Sequence, residues 1–402
     1  TLSGDGFYDL GNDFAFGEWR DSLPREIEGA PFERHVEAGL GNLRRIYRSI
    51  AAGFGGKIDS GLSGGYDSRL TLALLREQGV TPALHVYGKS DDPDVRVATE
   101  IARGEGLTLE HVDKSMRPAT SAEDFPAVVA DNCHALDGCP PDGIFDGGAD
   151  VETRRERCAG GELMLNGGGG EIFRNFFYLP DRSLTVRAFL WSFYSRYDPS
   201  WCTDRFSEEA YLTRLGDKIT ADLGTTGGKL RRAEIELIYP LFRCRYWMGK
   251  NNSNNNRFGW ALTPFIDYRT VGGAVRVPID YKSYGRLQAE LIRRIDPRLA
   301  GYPSVYGHPF AAPPPLGRRV KELLSIARPP LLRRYLYRIK YRRPQPRGRY
   351  LDDRFVHRVV DPGFPFLSRF FKLDRINDPA VYNRVCTLEY LFERHDPSDA
   401  PV

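Results

Sequence analysis

The sequence has 402 residues, of which 41% are hydrophobic, and a net charge of only +4. A chain of this size can bury a large core, so we expect two domains or one large domain with a subdomain. The near balance of charge gives no strong case for binding nucleic acid. No apolar run approaches the roughly 20 residues of a membrane span, and the six cysteines form no CxxC pair. We therefore expect a cytoplasmic protein without a signal peptide.

Strands and helices are predicted to alternate in the first third of the chain. Residues 1–32 lack a clean period, and we expect a leading segment or the remnant of an upstream domain. A helical period covers 32–52, and further helices are predicted at 66–76 and 94–105. Strands are predicted at 58–62, 83–88 and 107–112. The alternation predicts an α/β fold, a parallel sheet with helices on both faces, whose ligand lies beyond the carboxyl ends of the strands.

The segment Ser63–Ser68, SGGYDS, separates the first of these strands from its helix and is called here the first glycine loop. Its glycines allow a close ligand, the helix N-terminus offers free N–H groups, and its serines add hydroxyls. This pattern predicts an anion-binding loop that is neither a Walker loop nor a dinucleotide GxGxxG. A carboxylate beside a phosphate needs a cation between them, so Asp67 is predicted to bind magnesium. A helix-capping role for Asp67 is the alternative.

A second glycine-rich segment, Asn166–Gly170, follows a predicted strand at 162–165 and is called here the second glycine loop. Four consecutive glycines cost backbone entropy, which indicates a close approach of the backbone to another group. The preceding stretch 136–148, rich in Asp, Gly and Pro, is either a substrate loop or a surface turn. Predicted helices at 186–197, 207–223 and 230–246 indicate a mostly α part after the sheet.

These motifs together resemble the synthetase domain of the asparagine synthetase family. SGGYDS matches the SGGxDS of the N-type ATP pyrophosphatases, which split ATP into AMP and pyrophosphate, and LNGGGGEIF is similar to the second loop of the family. The stretch Thr263–Asp267, with Val277, Pro278 and Lys282 after it, is similar to the family's PFLD…LP…K pattern. The similarity spans roughly residues 34–309.

The resemblance implies an adenine nucleotide α-hydrolase-like fold that binds ATP and Mg²⁺. The residues implied to contact ATP or pyrophosphate are Leu62, Ser63, Gly64, Gly65, Asp67, Ser68, Val86, Gly88, Gly168, Gly169 and Gly170. Asp67 and Glu171 would bind the metal, and the substrate would meet Arg257, Asp267 and Tyr306. Asp67, Glu171 and His308 form the expected catalytic set. Candidates for the general base are Glu171, His308 and Tyr306. The polar stretch 251–257 either binds substrate or is a polar loop or helix terminus.

The sequence departs from the family pattern at three places. The glutaminase domain has no counterpart in these residues, so we expect it to be separate or removed. Trp260 and Leu262 occupy the positions of a family glutamate and arginine, and Tyr306 that of a lysine. These differences concern substrate handling more than ATP binding, so they favour a relative that uses another amine or carboxylate.

The implied activity is an ATP-dependent, AMP-forming carbon–nitrogen ligase. It would adenylate a small-molecule or peptide carboxylate and transfer the acyl group to ammonia or an amine. Asparagine synthesis is one hypothesis, and lactam or macrolactam formation by a cyclase of the same family is another. A PP-motif tRNA-modifying enzyme and a non-catalytic nucleotide-binding subunit are the remaining alternatives.

The region 317–349 is strongly basic, and Glu322 is its only acidic residue. One interpretation is a basic amphipathic helix for an acidic peptide, nucleic acid or a membrane surface. The other is a solvated face whose charges pair elsewhere in the chain. The expected segments are thus 1–32, a nucleotide-binding core at 33–180, a helical part with substrate-facing residues at 181–310, and a basic helical extension at 311–402.

Overall fold

The computed structural model describes residues 29–138 and 142–395, and the backbone alone of residues 6–9 and 15–18. Much of the expected leading segment, the part of the 136–148 stretch that contains Cys139, and residues 396–402 of the expected extension lie outside the described residues. The strands are β1 (Gly6–Asp9), β2 (Ala15–Glu18), β3 (Ile58–Gly61), β4 (Ala83–Tyr87), β5 (Leu109–Val112), β6 (Leu163–Leu165), β7 (Leu184–Thr185), β8 (Lys229–Leu230) and β9 (Ala261–Leu262).

The helices agree with most of the predicted segments. The α-helices are α1 (Phe32–Phe54), α2 (Tyr66–Glu77), α3 (Pro93–Glu105), α4 (Phe125–Ala135), α5 (Ala149–Cys158), α6 (Val186–Phe193), α7 (Glu208–Leu223), α8 (Arg232–Leu237), α9 (Cys244–Tyr246), α10 (Met248–Asn255), α11 (Tyr268–Val275), α12 (Ile279–Lys282), α13 (Arg286–Ile295), α14 (Pro297–Gly301), α15 (Leu316–Ala327), α16 (Pro330–Tyr341), α17 (Asp353–Val356) and α18 (Pro379–Arg394).

The central sheet confirms the predicted α/β class. Its five strands are all parallel and run in the order β5-β4-β3-β6-β9. From β3 the chain proceeds through β4 to one edge, and β6 and β9 then lie on the other side of β3. The strand order therefore changes direction between β3 and β6, and in parallel sheets ligands bind beyond the carboxyl ends of the strands at such a point. The two glycine loops follow these two adjacent strands.

Two predicted helices differ from the structure. The segment predicted at 230–246 is α-helical only in α8 and α9, and Ile238–Arg243 between them is π-helical. Pro240 lies inside that stretch, and because proline has no backbone N–H it interrupts the regular ladder of hydrogen bonds. The helix predicted at 186–197 ends earlier, at Phe193.

The chain forms two compact units, and each is built from three separate stretches. The first unit comprises Thr1–Met116, Arg157–Leu184 and Ile219–Ala327, and it contains the central sheet. The second comprises Arg117–Glu156, Thr185–Lys218 and Arg328–Val402. Because the chain enters each unit three times, the units are not separated by single cuts at the expected boundaries near 180 and 310.

The second unit has its own aromatic core. Phe125 of α4 is fully buried there, stacked on Tyr350 and in edge contact with Phe145 and Phe355. Val385 and Cys386 of α18 belong to the same cluster of buried side chains. The helices of this unit are thus held by packing of their own. Within the described residues, no helix is both long enough and apolar enough to cross a membrane.

Candidate functional site

The serine hydroxyl groups of the first glycine loop form hydrogen bonds within the loop itself. The N–H of Ser63 donates to Oγ of Ser68 over 2.9 Å, and the two serine hydroxyls are 3.0 Å apart. The N–H of Gly65 donates to Oγ of Ser63 at 3.2 Å. These bonds hold the turn between β3 and α2 in shape. The loop is therefore preorganised, with the N-terminus of a 12-residue helix directly behind it.

Gly64 has little room for a side chain. The N–H of Gly64 donates to Asp94 Oδ1 at 2.8 Å, and its carbonyl accepts from the N–H of Val305 at 3.2 Å. A Cβ at this position would collide with the Val305 side chain. The glycine is thus required where two other segments of the first unit meet the loop.

The second glycine loop packs directly on the first. A Cβ on Gly167 would lie 3.2–3.3 Å from backbone atoms of Asp67 and Ser68, and one on Gly170 would collide with Oδ1 of Asp67. Gly169 has a φ of +90°, and a Cβ there would lie 2.6 Å from the side chain of Ile266. The close approach predicted from the four glycines is therefore an approach to the first glycine loop and to the turn before α11.

Asp67, at the contact between the loops, is held by an arginine. Nη2 of Arg174 donates to both carboxylate oxygens of Asp67, at 3.0 and 3.2 Å, and Nε2 of Gln288 donates to Oδ1 at 2.7 Å. Burial raises the pKa of Asp67 to about 6, although Arg174 acts in the opposite direction. The cation beside this carboxylate in the structure is thus the guanidinium of Arg174.

Glu171 lies near the same guanidinium. Nη2 of Arg174 is 3.9 Å from Oε1 of Glu171, whose Oε2 accepts a 2.7 Å hydrogen bond from the hydroxyl of Tyr239. Burial opposes the charge on Arg174, but the neighbouring carboxylates, Asp67 foremost, raise its pKa above the ordinary value. Burial also raises the pKa of Tyr239, so its hydroxyl keeps its proton and donates to Glu171.

Tyr306 joins this cluster through its hydroxyl group, which accepts a 3.1 Å hydrogen bond from Nη1 of Arg174. Its ring lies 4.9 Å from that of Tyr66, the fourth residue of SGGYDS, and burial raises its pKa. Arg69 donates to the carbonyls of Leu299, Tyr302 and Pro303, and so holds the segment before Tyr306 against α2. Tyr306 is therefore brought to the guanidinium that contacts Asp67 and lies near Glu171.

His308 has local contacts instead. It is buried, its Nδ1 is 3.3 Å from the carbonyl oxygen of Tyr306, and its own carbonyl accepts from the hydroxyl of Ser304. Burial lowers its pKa. These contacts indicate that His308 shapes the segment that carries Tyr306.

Two of the residues expected around the adenine have side chains in the hydrophobic core. The side chains of Leu62 and Val86 are buried in one cluster beneath α3, so only their backbone would face a ligand. The N–H of Leu62 already donates to the carbonyl of His85. Gly88 has a φ of +134°, which a larger side chain would rarely adopt.

The expected substrate residues Arg257 and Asp267 have contacts of another kind. Asp267 caps α11, since its carboxylate accepts from the N–H of Arg269 at 2.9 Å. Arg257 is exposed just after α10, and its N–H bonds to the carbonyl of Asn254. The stretch 251–257 is therefore mainly a helix and its terminus, which was one of the two interpretations.

Lys282, from the third motif, forms a buried ion pair with Glu236. The two side chains are 2.6 Å apart, and Arg232 contacts the other carboxylate oxygen at 2.9 Å. Burial lowers the pKa of Lys282, and Glu236 opposes that effect. This pair anchors α12 to α8, the helix that leads to Tyr239.

Arg174, Gln288 and Asp94 were missed by the sequence argument. Arg174 had a detectable signal, because it is a lone charge within the apolar run Ile172–Phe177. A charge in such a run is expected to have a buried partner. Gln288 and Asp94 lie on ordinary amphipathic helices, and nothing in their local pattern distinguishes them.

The fit of this site to magnesium rests on two carboxylates. In sites that handle phosphates, Mg²⁺ takes one or two carboxylates from the protein and fills its remaining positions with phosphate oxygens and water. Asp67 and Glu171, separated by Nη2 of Arg174, match that donor set. Over the described ranges, no group of three or more His, Cys, Asp and Glu side chains is placed to hold a metal by itself.

Comparison with protein-family models gave no match for this chain, and comparison with curated proteins gave none either.

Proposed function

We propose that the protein is an ATP-dependent ligase that adenylates a carboxylate and transfers the acyl group to an amine, on an adenine nucleotide α-hydrolase-like fold. The observation that carries this proposal is the contact of two glycine loops where the strand order changes direction, with Asp67 at their junction. Such a crevice is the usual ligand site of a parallel sheet. The N-terminus of α2, which begins at Tyr66 within the first glycine loop, suits a polyphosphate.

The chemistry requires ATP, a carboxylic acid and an amine. A carboxylate oxygen attacks the α-phosphorus, the bond from that phosphorus to the bridging oxygen breaks, and pyrophosphate leaves with the electron pair. The amine nitrogen then attacks the acyl carbon, the bond to AMP breaks, and the amine loses a proton to a base. Magnesium bound by Asp67 and Glu171 would offset the charge on the phosphates.

The protein's own residues would position the substrates and neutralise the charge on the phosphates. The first glycine loop would hold the β- and γ-phosphates, and Gly168–Gly170 would cover the departing pyrophosphate. Glu171, whose carboxylate accepts from the Tyr239 hydroxyl, would be a candidate for the base where Asp67 alone holds the metal. Its carboxylate adjoins the guanidinium that binds Asp67, so acid–base chemistry and phosphate binding would share one cluster.

A cyclase that closes a lactam or macrolactam is a second candidate, favoured by two exposed apolar side chains. Trp260 is 66% exposed and Leu262 is 40% exposed, and they flank Ala261 of β9. The carbonyl of Leu262 accepts from the N–H of Asn166, so this apolar pair lies next to the second glycine loop. Such a surface suits a bulkier, more apolar substrate than aspartate.

The test is ATP–pyrophosphate exchange with Mg²⁺ against a panel of carboxylates, aspartate and linear peptides included. Exchange that depends on one acid, and that is lost in Asp67→Asn, would support adenylation. Asp113→Asn, in an exposed turn of the same unit, serves as the matched carboxylate control and should exchange normally. Retained exchange in Asp67→Asn would reject the proposed role of this residue.

The amine step separates the two candidates. A product that has lost one water, formed from a linear precursor without added ammonia, would favour the cyclase. An amide formed only with ammonia or a second amine would favour the intermolecular ligase. ATP binding without exchange for any acid would instead favour a non-catalytic nucleotide-binding subunit.

A further inference from the structure

Arg174 is the central group of the cluster. Its Nη2 contacts Asp67 at 3.0 Å and lies 3.9 Å from Glu171, while its Nη1 donates to Tyr306. Its Nε is buried and has no hydrogen-bond partner among the residues that the structure describes. A guanidinium has five N–H donors in a planar fork. Arg174 therefore retains unused donor capacity at the contact between the two glycine loops.

Arg174 is shared between two carboxylates. Its guanidinium lies beside both Asp67 and Glu171, and among the described residues Asp67 accepts one further side-chain hydrogen bond, from Gln288. A doubly charged cation would compensate these two carboxylates better than Arg174 does. Arginine, in turn, binds phosphate groups well because its fork matches their oxygens. A magnesium polyphosphate would satisfy both sets of groups if Arg174 and the metal exchanged places.

We propose that Arg174 is a phosphate-binding residue that exchanges partners, leaving Asp67 for the polyphosphate when Asp67 takes up magnesium. This inference rests on the proposed function, because it assumes that a magnesium polyphosphate binds at the two loops. Tyr306 keeps the side chain in the site during the exchange, since it holds Nη1 independently of Asp67. The ring of Tyr66, 5.6 Å from the guanidinium carbon, provides a second contact that does not depend on Asp67.

The backbone around Arg174 suits such a movement. Phe173, the preceding residue, is buried and lies in edge contact with Phe265, so the main chain is anchored. Arg174 itself has extended backbone angles at the end of the short helical turn Gly170–Phe173. Only the side chain has to move, and the hydroxyl of Tyr306 limits how far.

The exchange of partners by Arg174 predicts two opposite effects of Arg174→Ala on binding. Calorimetric titration of the purified full chain would measure both. Mg²⁺ alone should bind more tightly, because it no longer has to displace a guanidinium from Asp67. Pyrophosphate, titrated at saturating Mg²⁺, should bind at least about tenfold more weakly, because a charge-assisted donor is lost. Arg174→Lys keeps the charge without the fork and should lie between Arg174→Ala and the wild type for pyrophosphate.

Arg44→Ala is the matched control. Arg44 also binds a carboxylate through two nitrogens. This carboxylate belongs to Glu77, which lies at the far end of α2. Both affinities should remain at their wild-type values in this variant. Thermal unfolding of each variant shows whether it is folded, and if Arg174→Ala is not, Arg174→Lys carries the pyrophosphate titration.

Unchanged pyrophosphate affinity in the Arg174 variants would overturn the inference, and so would a parallel weakening of Mg²⁺ and pyrophosphate. Neither titration requires turnover, so the inference and the proposed function can fail separately. Opposite changes in the Mg²⁺ and pyrophosphate affinities, without ATP–pyrophosphate exchange for any carboxylate, would keep the role of Arg174 and reject adenylation. ATP–pyrophosphate exchange that proceeds equally well in the wild type and in the Arg174 variants would keep adenylation and reject the role of Arg174. Failure of the wild type to bind pyrophosphate would reject both.

Discussion

The N–H of Gly64 and the carboxylate of Asp94 are joined by a hydrogen bond of 2.8 Å. Gly64 follows β3, and Asp94 lies in the first turn of α3, which follows β4. This bond therefore connects the segments that follow two adjacent parallel strands of the central sheet. It also places a negative charge next to a loop that is proposed to bind phosphates.

Asp94→Asn should strengthen pyrophosphate binding. The amide oxygen can still accept from Gly64, so the loop keeps its shape, while the repulsion between a carboxylate and a phosphate disappears. We expect a gain of about threefold at low salt that shrinks as salt screens the charge. Calorimetric titration at two ionic strengths measures it, and Glu100→Gln, on the same helix, is the control. Affinity that is unchanged at low salt would place the phosphates away from Gly64.

Gly170→Ala should destabilise the first unit, because the added methyl group collides with the carboxylate of Asp67. Steric overpacking of this kind typically costs about 1–3 kcal/mol. Gly41→Ala is the matched substitution, since Gly41 is an exposed helical residue of α1 with open space around it. It should be stabilising by about 0.4–1 kcal/mol. Urea unfolding compares the two, and a Gly170→Ala protein as stable as the wild type would show that the loops can separate at little cost.

The sequence was sufficient for the sheet and the two glycine loops because those signals are local. Strand, turn and helix residues follow one another between Ile58 and Glu77, and the alternation that follows fixes a parallel sheet. The partner of Asp67 was not predictable in the same way. Arg174 is 107 positions from Asp67, and only the order of β3 and β6 within the sheet brings the two together.

The partners of the basic region 317–349 were likewise not predictable from the sequence. Its composition allowed either an external acidic partner or charges that pair within the chain. In the second unit, Arg334 and Arg338 of α16 both contact Glu208 at 2.6 Å, and Arg342 contacts Asp198 at 3.1 Å. Pairing within the chain therefore accounts for these three arginines. No period in the sequence links them to acids more than 100 positions away.

Acidification should destabilise the protein partly through His308. Burial lowers the pKa of His308, so below its ordinary value of about 6.5 the unfolded chain binds a proton that the folded chain does not. Stability is then full at neutral pH and falls as the pH decreases from about 7 to 5. One proton contributes at most about 1.4 kcal/mol per pH unit.

His308→Gln should reduce that pH dependence, which urea unfolding at pH 7 and pH 5 measures. Ser304→Ala is the control, because it removes the hydroxyl that binds the His308 carbonyl and leaves the imidazole in place. This control should cost the same stability at both pH values. An undiminished pH dependence in His308→Gln would mean that the folded protein accepts the proton at no cost.

Glu208→Gln should destabilise the second unit, since one carboxylate serves three donors. Arg334, Arg338 and the hydroxyl of Tyr197 all contact Glu208, at 2.6, 2.6 and 3.0 Å. Loss of the charge leaves two guanidinium groups facing a neutral amide, at a cost of about 1.5–3 kcal/mol. Glu209→Gln is the matched control, because the neighbouring Glu209 is exposed and its ion pair with Arg187 should contribute less than about 1 kcal/mol. Equal unfolding midpoints for the two variants would show that α16 is held by its packing alone, and its arginines would then be available to an external acidic partner.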